Sequence, residues 1–220
     1  TYNRFGANKK GGSSWGANEN YTRGFTHLDK APIGLINCPG GHAWFAGSNQ
    51  AIHFCLNTPI PEMMGHEYAH AVLFYEFYNA TSGWPVGPYY WGETGALDES
   101  HADLQGEFLE RDYYNGTHNW IIGGVAPMTW SRNLINPETT NNSVNQKPYP
   151  NRFMDPNFYC GTNDNAGVHV GLSVPSKAAY MAAIGDSFNG CTINAIGEAA
   201  IQQIIYRAWD IYTTSTETFN

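Results

Sequence analysis

Charged residues are scarce in this chain of 220 residues: they make up 14% of it, against roughly 25% in an average soluble protein. The net charge is −8 and no run of Lys or Arg occurs, which argues against nucleic acid and anionic membranes as partners. No apolar stretch approaches the roughly 18 residues of a membrane span. The polar first twelve residues do not have the pattern of a signal peptide.

Cysteine pairs with the CxxC spacing are also missing, which argues against a cysteine zinc site. The four cysteines are Cys38, Cys55, Cys160 and Cys191. An even number allows two disulfides in three connectivities, and the short local loops favour Cys38–Cys55 and Cys160–Cys191. Four buried free thiols are the alternative.

Several features of the composition favour an extracellular protein. Few charges imply a surface rich in Asn, Ser, Thr, Gly and Tyr, which is more typical of secreted than of cytosolic proteins. Four Asn-x-Ser/Thr sequons point the same way, although such sequons are common by chance. They begin at Asn20, Asn79, Asn115 and Asn141.

The apolar patterns predict strands first and helices later, in one large domain or in two lobes that share a cleft. Residues 112–160 lack periodicity and are predicted to be long, ordered loops. The predicted strands are Ile33–Ile36, Ala43–Ala46 and Ala51–Leu56. The predicted helices are Glu62–Tyr78, Ala96–Arg111, Pro175–Ile184 and Ile196–Tyr212. This order indicates an α+β chain.

An H-E-x-x-H sequence, residues 66–70, lies inside the first predicted helix. The i,i+4 spacing places His66 and His70 on one face, where they can share a metal ion. Glu67 can then take a proton from a zinc-activated water. The plain alternative is a chance pattern on a surface helix, but the apolar residues around the motif indicate a buried helix, which seldom carries such side chains without a use.

Two further segments add candidate groups. Glu99 and Asp103 share one face of the second predicted helix, so one can bind the metal and the other can orient a ligand histidine. Two acidic residues on a helix are more often simply solvated. Asp164 precedes His169 by five residues, so the pair can form a positioned imidazole that stabilises an oxyanion. A structural histidine is the alternative.

These three segments, in this order, resemble the thermolysin family of secreted neutral metalloproteases. The resemblance covers about residues 42–218 and includes Tyr90, nine residues before Glu99, and Arg152, ahead of Asp155-Pro156. It also includes Gly167-Val168-His169, Lys177-Ala178-Ala179-Tyr180, and the stretch from Ile196-Gly197 to Tyr206-Arg207-Ala208.

The resemblance implies a two-lobed α+β metalloprotease with the zinc helix between the lobes. Residues 1–90 would form a β-rich N-terminal lobe with an edge strand and the zinc helix. Residues 91–220 would form a mainly helical C-terminal lobe with the third zinc ligand and the catalytic histidine. The implied enzyme is a secreted, monomeric endopeptidase that acts on peptides or proteins and cleaves on the N-terminal side of bulky hydrophobic residues.

Roles for individual residues follow from the same resemblance. The implied zinc ligands are His66, His70 and Glu99, with Glu67 as general base and Tyr90 and His169 as stabilisers of the tetrahedral intermediate. Supporting roles fall to Asp103, next to a zinc histidine, to Asp164, which orients His169, and to Arg152, which binds a substrate carbonyl. The edge strand His42-Ala43-Trp44-Phe45 would pair with extended substrate, and Phe54 and Met63 would line the pocket after the scissile bond.

The chain departs from the family pattern at three places. His42 stands where the edge strand usually has Asn, and Asp98 replaces the usual Asn before the third ligand, where it can strengthen the hold on a ligand histidine or add negative charge. Calcium binding stays open, since a hard cation needs six to eight oxygens. Of the expected calcium ligands Glu62 and Glu110 remain, whereas Asn119, Ile121 and Gly124 stand where further carboxylates would be.

Two other functions compete with an endopeptidase. A zinc exopeptidase would need an acidic cluster to hold a free N-terminus, and no convincing one is evident. A non-catalytic zinc-containing binding protein would have no physical reason to keep Glu67, Tyr90 and His169 together.

Overall fold

The structure, a computed structural model, describes residues 23–28, 42–47, 51–55, 58, 60–77, 87–125 and 128–209. The strands are β1 (Arg23–Leu28), β2 (Ala43–Ala46), β3 (Ala51–Cys55), β4 (Ile121–Gly123), β5 (Ser131–Asn133), β6 (Asp186–Phe188) and β7 (Cys191–Ile193). The helices are α1 (Pro61–Glu76), α2 (Gly92–Tyr113), α3 (Asn163–Gly171), α4 (Ser173–Ile184) and α5 (Glu198–Arg207), with a 3₁₀ turn at Pro137–Thr139.

The first three strands form one sheet in the order β1-β3-β2. β3 is parallel to β1 and antiparallel to β2, with Ala43 opposite Phe54 and Ala46 opposite Ala51. All five residues of β3 are buried, whereas those of β2 are half-buried. Among the described strands β2 pairs on one side only, so its other edge is available to an added strand.

Helices α1 and α2 approach each other backbone to backbone. Pro61 begins α1, where its missing N–H costs nothing. A Cβ on Gly65 would lie 2.8 Å from the Cα of Gly106, and a Cβ on Gly106 would lie 2.5 Å from the carbonyl oxygen of Glu62. No side chain fits between the helices at these positions, and the close contact brings the side chains of α1 next to those of α2.

The main apolar cluster lies at one end of this helix pair. Its buried members are Met63, Leu104, Phe108, Trp120, Ile122, Met128, Leu134, Ala183 and Ile201. The middle of α2 is instead buried with polar side chains, among them Asp98, Glu99, Ser100, His101 and Asp103. Burying so many polar groups is costly unless they bind one another or a ligand, so this stretch of α2 indicates a site.

The predicted helices α1, α2, α4 and α5 are confirmed, with ends that differ by a few residues. α2 begins at Gly92 rather than Ala96, and α3 was not predicted at all. Within residues 112–160, predicted to be loops, β4 and β5 form a short antiparallel hairpin. The predicted strand Ile33–Ile36 lies outside the described residues, and so does the part of the last predicted helix beyond residue 209. None of the described helices is both long and apolar enough to cross a membrane.

The predicted disulfide Cys160–Cys191 is wrong, because both thiols are free and exposed. Helices α3 and α4 lie between the two cysteines, and α4 alone, with twelve residues, is about 18 Å long. A short separation in sequence therefore did not give a short distance in space. Cys38 lies outside the described residues, so its pairing with Cys55 stays a prediction.

Candidate active site

The two histidines of the H-E-x-x-H sequence project from one face of α1 toward the same point. Their Nε2 atoms are 3.0 Å apart, and His66 is buried while His70 is partly exposed. The one-turn spacing along the helix produces this convergence.

Glu99 reaches the same point from α2. Its Oε2 lies 3.4 Å from Nε2 of His66, and its Oε1 lies 3.4 Å from Nε2 of His70. One ligand atom from each of the three residues lies within 4.8 Å of the other two. Oε2 of Glu99 is buried and forms no hydrogen bond with the described residues. Two imidazole nitrogens and one carboxylate, with room for a fourth ligand, match the donor set of a catalytic zinc site.

The electrostatics of this cluster favour a cation. Burial alone would lower the pKa of His66, but the hydrogen bond with Asp103 and the nearby carboxylate of Glu99 raise it to about 9. Burial likewise opposes the charge on His70, but Asp98 and Glu99 raise its pKa to about 10. The carboxylates thus attract positive charge to the point where the imidazoles meet, and a divalent metal ion would supply that charge.

Each ligand histidine is held from behind by its own carboxylate. Nδ1 of His66 lies 2.8 Å from Oδ1 of Asp103, and Nδ1 of His70 lies 2.9 Å from Oδ1 of Asp98. A carboxylate accepts the Nδ1 proton, which leaves the Nε2 lone pair for a metal. Arg132 in turn donates to Asp103 through Nε at 2.7 Å and Nη2 at 2.5 Å, so a buried chain of contacts fixes His66.

Glu67 is buried beside the ligand cluster. Burial raises the pKa of its carboxylate, while the neighbouring His66 and His70 oppose that rise. The backbone N–H of Phe45 in β2 hydrogen-bonds the carboxylate. A carboxylate with a raised pKa is suited to take a proton near neutral pH.

Three side chains form the opposite side of the site. The Tyr90 hydroxyl donates to Glu99 and lies 3.5 Å from Nε2 of His169. Asp164 accepts from His169 twice, from Nδ1 at 2.6 Å and from the backbone N–H at 2.9 Å. Although burial opposes it, Glu99 and Asp164 raise the pKa of His169. The imidazole is therefore both oriented and favoured as a cationic donor.

An unusual backbone positions His169. The four preceding residues Asp164–Gly167 have φ between 50° and 80°, the left-handed region, before the right-handed helix continues. This reversal allows Asp164 to reach both the backbone and the side chain of a residue five positions later.

Two cavities flank the ligand cluster, and His42, Ala43, His66, Glu67 and His169 line both of them. The Arg132 cavity, of about 570 Å³, is also lined by Met63, Trp130, Arg132, Tyr149 and the loop of residues 141–146. The Trp44 cavity, of about 560 Å³, is also lined by Trp44, Phe45, Phe74 and Tyr90. Together they form a groove that passes over the ligand cluster.

Comparison with known proteins identifies the family. The sequence model of the thermolysin metallopeptidase α-helical domain matches residues 88–220. The chain belongs to the thermolysin family. Neutral protease B of Bacillus subtilis (strain 168) is 34% identical over 161 residues, and a thermolysin of Alicyclobacillus acidocaldarius subsp. acidocaldarius is 30% identical over 163 residues.

The relatives are much longer than this chain. The two alignments cover 72% of the chain but only 26% and 27% of the respective relatives, so the chain spans about a quarter of their length. The precursor of protealysin, a metalloproteinase from Serratia proteamaculans, has a similar structure, with a TM-score of 0.56 at 20% identity over 80% of this chain and 55% of that one. At that identity the likeness concerns the fold. The predicted helical C-terminal part is thereby confirmed, while the two-lobed division at residue 90 stays a prediction.

Most of the residues that the thermolysin resemblance singled out come together in this structure. Nine of them form one connected cluster: His66, Glu67, His70, Tyr90, Asp98, Glu99, Asp103, Asp164 and His169. The groove is lined by three more, His42, Ala43 and Met63. Phe54 is buried in β3 and does not line either cavity.

Arg152 does not lie where the thermolysin resemblance implied, and another arginine, Arg132, lies at the site instead. The Arg152 side chain is 48% exposed, lies near Asp155 and lines neither cavity. Arg132 is buried at the site and was missed. One signal for it was available: in Trp130-Ser-Arg-Asn-Leu134 the alternation of a strand places Arg132 on the same side as two apolar residues.

The remnants of the predicted calcium site lie together at the far end of α2. Burial, with Glu110 and Glu107 nearby, raises the pKa of Glu62 to about 7. Glu107 was not among the expected residues, and it is paired with His118. This contact uses one Glu107 oxygen that could otherwise bind a cation, and calcium binding stays a question for experiment.

Proposed function

We propose that this chain is the catalytic part of a zinc-dependent endopeptidase. The observation that carries the proposal is the convergence of His66, His70 and Glu99 beside the buried Glu67, in a groove that continues on both sides. Because the groove passes over the cluster, an extended peptide can run through it, which favours internal cleavage over removal of a terminal residue.

The chemistry divides between the metal and the protein. When bound by His66, His70 and Glu99, zinc would polarise the scissile carbonyl and lower the pKa of a water to about 7. Glu67 takes the proton of the attacking water and delivers it to the leaving amine. Tyr90 and His169 donate hydrogen bonds to the oxygen on which negative charge develops.

Substrate binding is proposed on both sides of this centre. Extended substrate pairs with the free edge of β2 at His42 and Ala43, so that its backbone is held as an added strand. Arg132, held by Asp103 through Nε and Nη2, has its Nη1 left to bind a substrate carbonyl in the groove. Met63 and Ala43 provide an apolar surface for the residue after the scissile bond, in keeping with cleavage before bulky hydrophobic residues.

The location and assembly belong to the same proposal. A surface poor in charge and carrying sequons supports a secreted protein, and a groove formed by one chain supports a monomer. A two-lobed arrangement with α1 between a strand-rich and a helical part is in keeping with the position of the groove.

The test is hydrolysis of casein and of a furylacryloyl-dipeptide, with and without a chelator, followed by zinc add-back. We expect chelator-sensitive cleavage that zinc restores. Zinc binding without any hydrolysis would support a non-catalytic zinc protein. Release of single terminal residues alone would support an exopeptidase.

A further inference from the structure

The two walls of the Arg132 cavity differ in chemistry. On one side Met63, Ala43 and the Trp130 ring provide apolar surface, and Met63 continues into the main apolar cluster. On the other side Tyr149 and the loop 141–146 present hydroxyl and amide groups. A purely aliphatic side chain would leave this second wall unsatisfied.

Tyr149 is a buried residue of that second wall. The residue is only 5% exposed, yet its hydroxyl forms no hydrogen bond with any residue of the described part of the chain. Burial raises the pKa of Tyr149, so the phenol stays neutral and can both donate and accept. Because Tyr149 lines an open cavity, water can satisfy this hydroxyl in the free protein, and a substrate group that displaces the water without replacing its hydrogen bond binds less well.

The rest of the wall is rigid because Asn142 organises it. The Asn142 side chain is buried; its Nδ2 donates to the carbonyl oxygen of Lys147 at 2.7 Å, and its Oδ1 accepts from the backbone N–H groups of Val144 and Asn145, both at 3.0 Å. Asn141 also forms a β-bridge with Pro148. The polar groups around the cavity are therefore held in place before a ligand arrives, which favours selective binding.

Charge limits which polar side chains the cavity can accept. Arg132 places a buried positive charge in the lining of the cavity. Burial opposes this charge, but Asp103 raises the pKa of Arg132. A lysine or arginine side chain would be placed beside that guanidinium. A neutral end group avoids the repulsion and still reaches the hydroxyl of Tyr149.

We propose that the Arg132 cavity selects a substrate side chain with an apolar stem and a neutral hydrogen-bonding end, such as tyrosine or glutamine, and that the Tyr149 hydroxyl recognises that end. This inference rests on the proposed peptidase function and changes its expected substrate preference, from bulky hydrophobic residues in general to bulky residues that also carry a neutral polar end. Tyrosine and glutamine match both walls, whereas phenylalanine and leucine match only the apolar one.

Matched peptides that differ only in the residue after the scissile bond test this inference. One pair carries Tyr or Phe there, and a second pair carries Gln or Leu. For the zinc-loaded wild type we expect kcat/KM to be about fivefold to tenfold higher for Tyr than for Phe, the effect of about one hydrogen bond. In Tyr149→Phe the ratio should fall to about one.

The control is Tyr113→Phe, which removes the hydroxyl of an exposed tyrosine at the end of α2 and should keep the wild-type ratio. A wild-type ratio near one, or an equal loss for both peptides in Tyr149→Phe, would overturn the inference while leaving the peptidase proposal intact. A zinc-loaded wild type that cleaves none of the peptides or casein would overturn both.

Discussion

Helix α2 contributes carboxylates to two clusters of histidine and carboxylate, and the two clusters use the imidazole nitrogens differently. In the ligand cluster, His66 and His70 bond a carboxylate through Nδ1 and turn Nε2 toward a shared point. In the second cluster, which we call the His118 cluster (Glu107, Arg111, His118 and Glu198), both nitrogens of the histidine are bonded, Nδ1 to Glu107 at 3.0 Å and Nε2 to Glu198 at 3.1 Å.

The ligand cluster has the features of a binding site, whereas the His118 cluster has those of a structural crosslink. Arg111 Nη1 lies 2.7 Å from Glu198 Oε2, so the His118 cluster pairs its cations with its carboxylates and joins α2, α5 and the segment before β4. Oε1 of Glu107 has no hydrogen bond with the described residues, but no free imidazole nitrogen of this cluster points to it, since both nitrogens of His118 are bonded. The ligand cluster leaves convergent lone pairs and a buried carboxylate oxygen without an internal partner. Changes in the ligand cluster should therefore affect zinc and turnover, and changes in the His118 cluster should affect stability.

Replacing the proposed general base should have the largest effect. Glu67→Gln is expected to lower kcat by roughly 10²–10⁴ or more, because it removes the proton acceptor but no metal ligand. Zinc content, measured by metal analysis, should stay at one ion per chain. The control is Glu198→Gln, which should retain turnover. Near-normal activity of Glu67→Gln would refute the role of Glu67.

Removing the imidazole of His169 should have the second-largest effect on turnover. His169→Ala should lower kcat by about 10²–10³ and change KM far less, since the hydrogen bond forms chiefly in the transition state. Because the pKa of His169 is raised, its imidazole stays protonated to a higher pH than that of a free histidine. The value of kcat should fall as pH rises through that pKa. Asp164→Asn should move this fall to lower pH. A loss confined to KM would contradict this account.

The carboxylates behind the ligands should tune zinc affinity. Asp103→Asn and Asp98→Asn should each weaken zinc binding by about 10–100-fold, measured by competition with a chromophoric chelator. We expect the larger loss for Asp103→Asn, because it also leaves the buried Arg132 without its partner. Equal affinity in wild type and both variants would show that these contacts do not orient the ligands.

The smallest effect on activity should come from the His118 cluster. Hydrogen bonds with Glu107 and Glu198 raise the pKa of His118 although burial opposes this. Its contribution to stability is therefore fully present below about pH 6.5, the unfolded value, and is lost as pH rises through the folded value. His118→Phe should lower the unfolding free energy by about 1–3 kcal/mol in urea titrations at low pH, reduce its pH dependence and leave kcat unchanged. A large loss of kcat would place His118 in the catalytic machinery.

The parts of the site that the sequence predicted are those fixed by short-range geometry. The spacing of His66 and His70 within one helix determines their relative position, and so does that of Glu99 and Asp103. The two pairs meet because Gly65 of α1 contacts Gly106 of α2. No periodicity in the sequence reveals this contact, so only the family resemblance predicted that the two pairs form one site.

The parts that were missed depend on tertiary contacts. Arg132 reaches Asp103 across 29 residues, from a short hairpin with weak strand signals. Helix α3 was missed because residues 164–167 within it, Asp-Asn-Ala-Gly, are typical of a loop. Phe54 was expected at the pocket, but it lies on β3, one strand farther from the groove than its partner Ala43 on β2, and is buried there.

The left-handed turn ahead of His169 also bears on the order in which the site assembles during folding. Such a conformation costs about 1–2 kcal/mol for each residue other than glycine, so an unfolded chain rarely holds it. Tertiary contact with α2 must maintain it, and there Gly95 is so close that a Cβ would lie 2.5 Å from Cγ1 of Val168. We therefore expect His169 to be positioned only after α2 and α3 have docked, so that segments far apart in sequence must fold before the imidazole reaches its place.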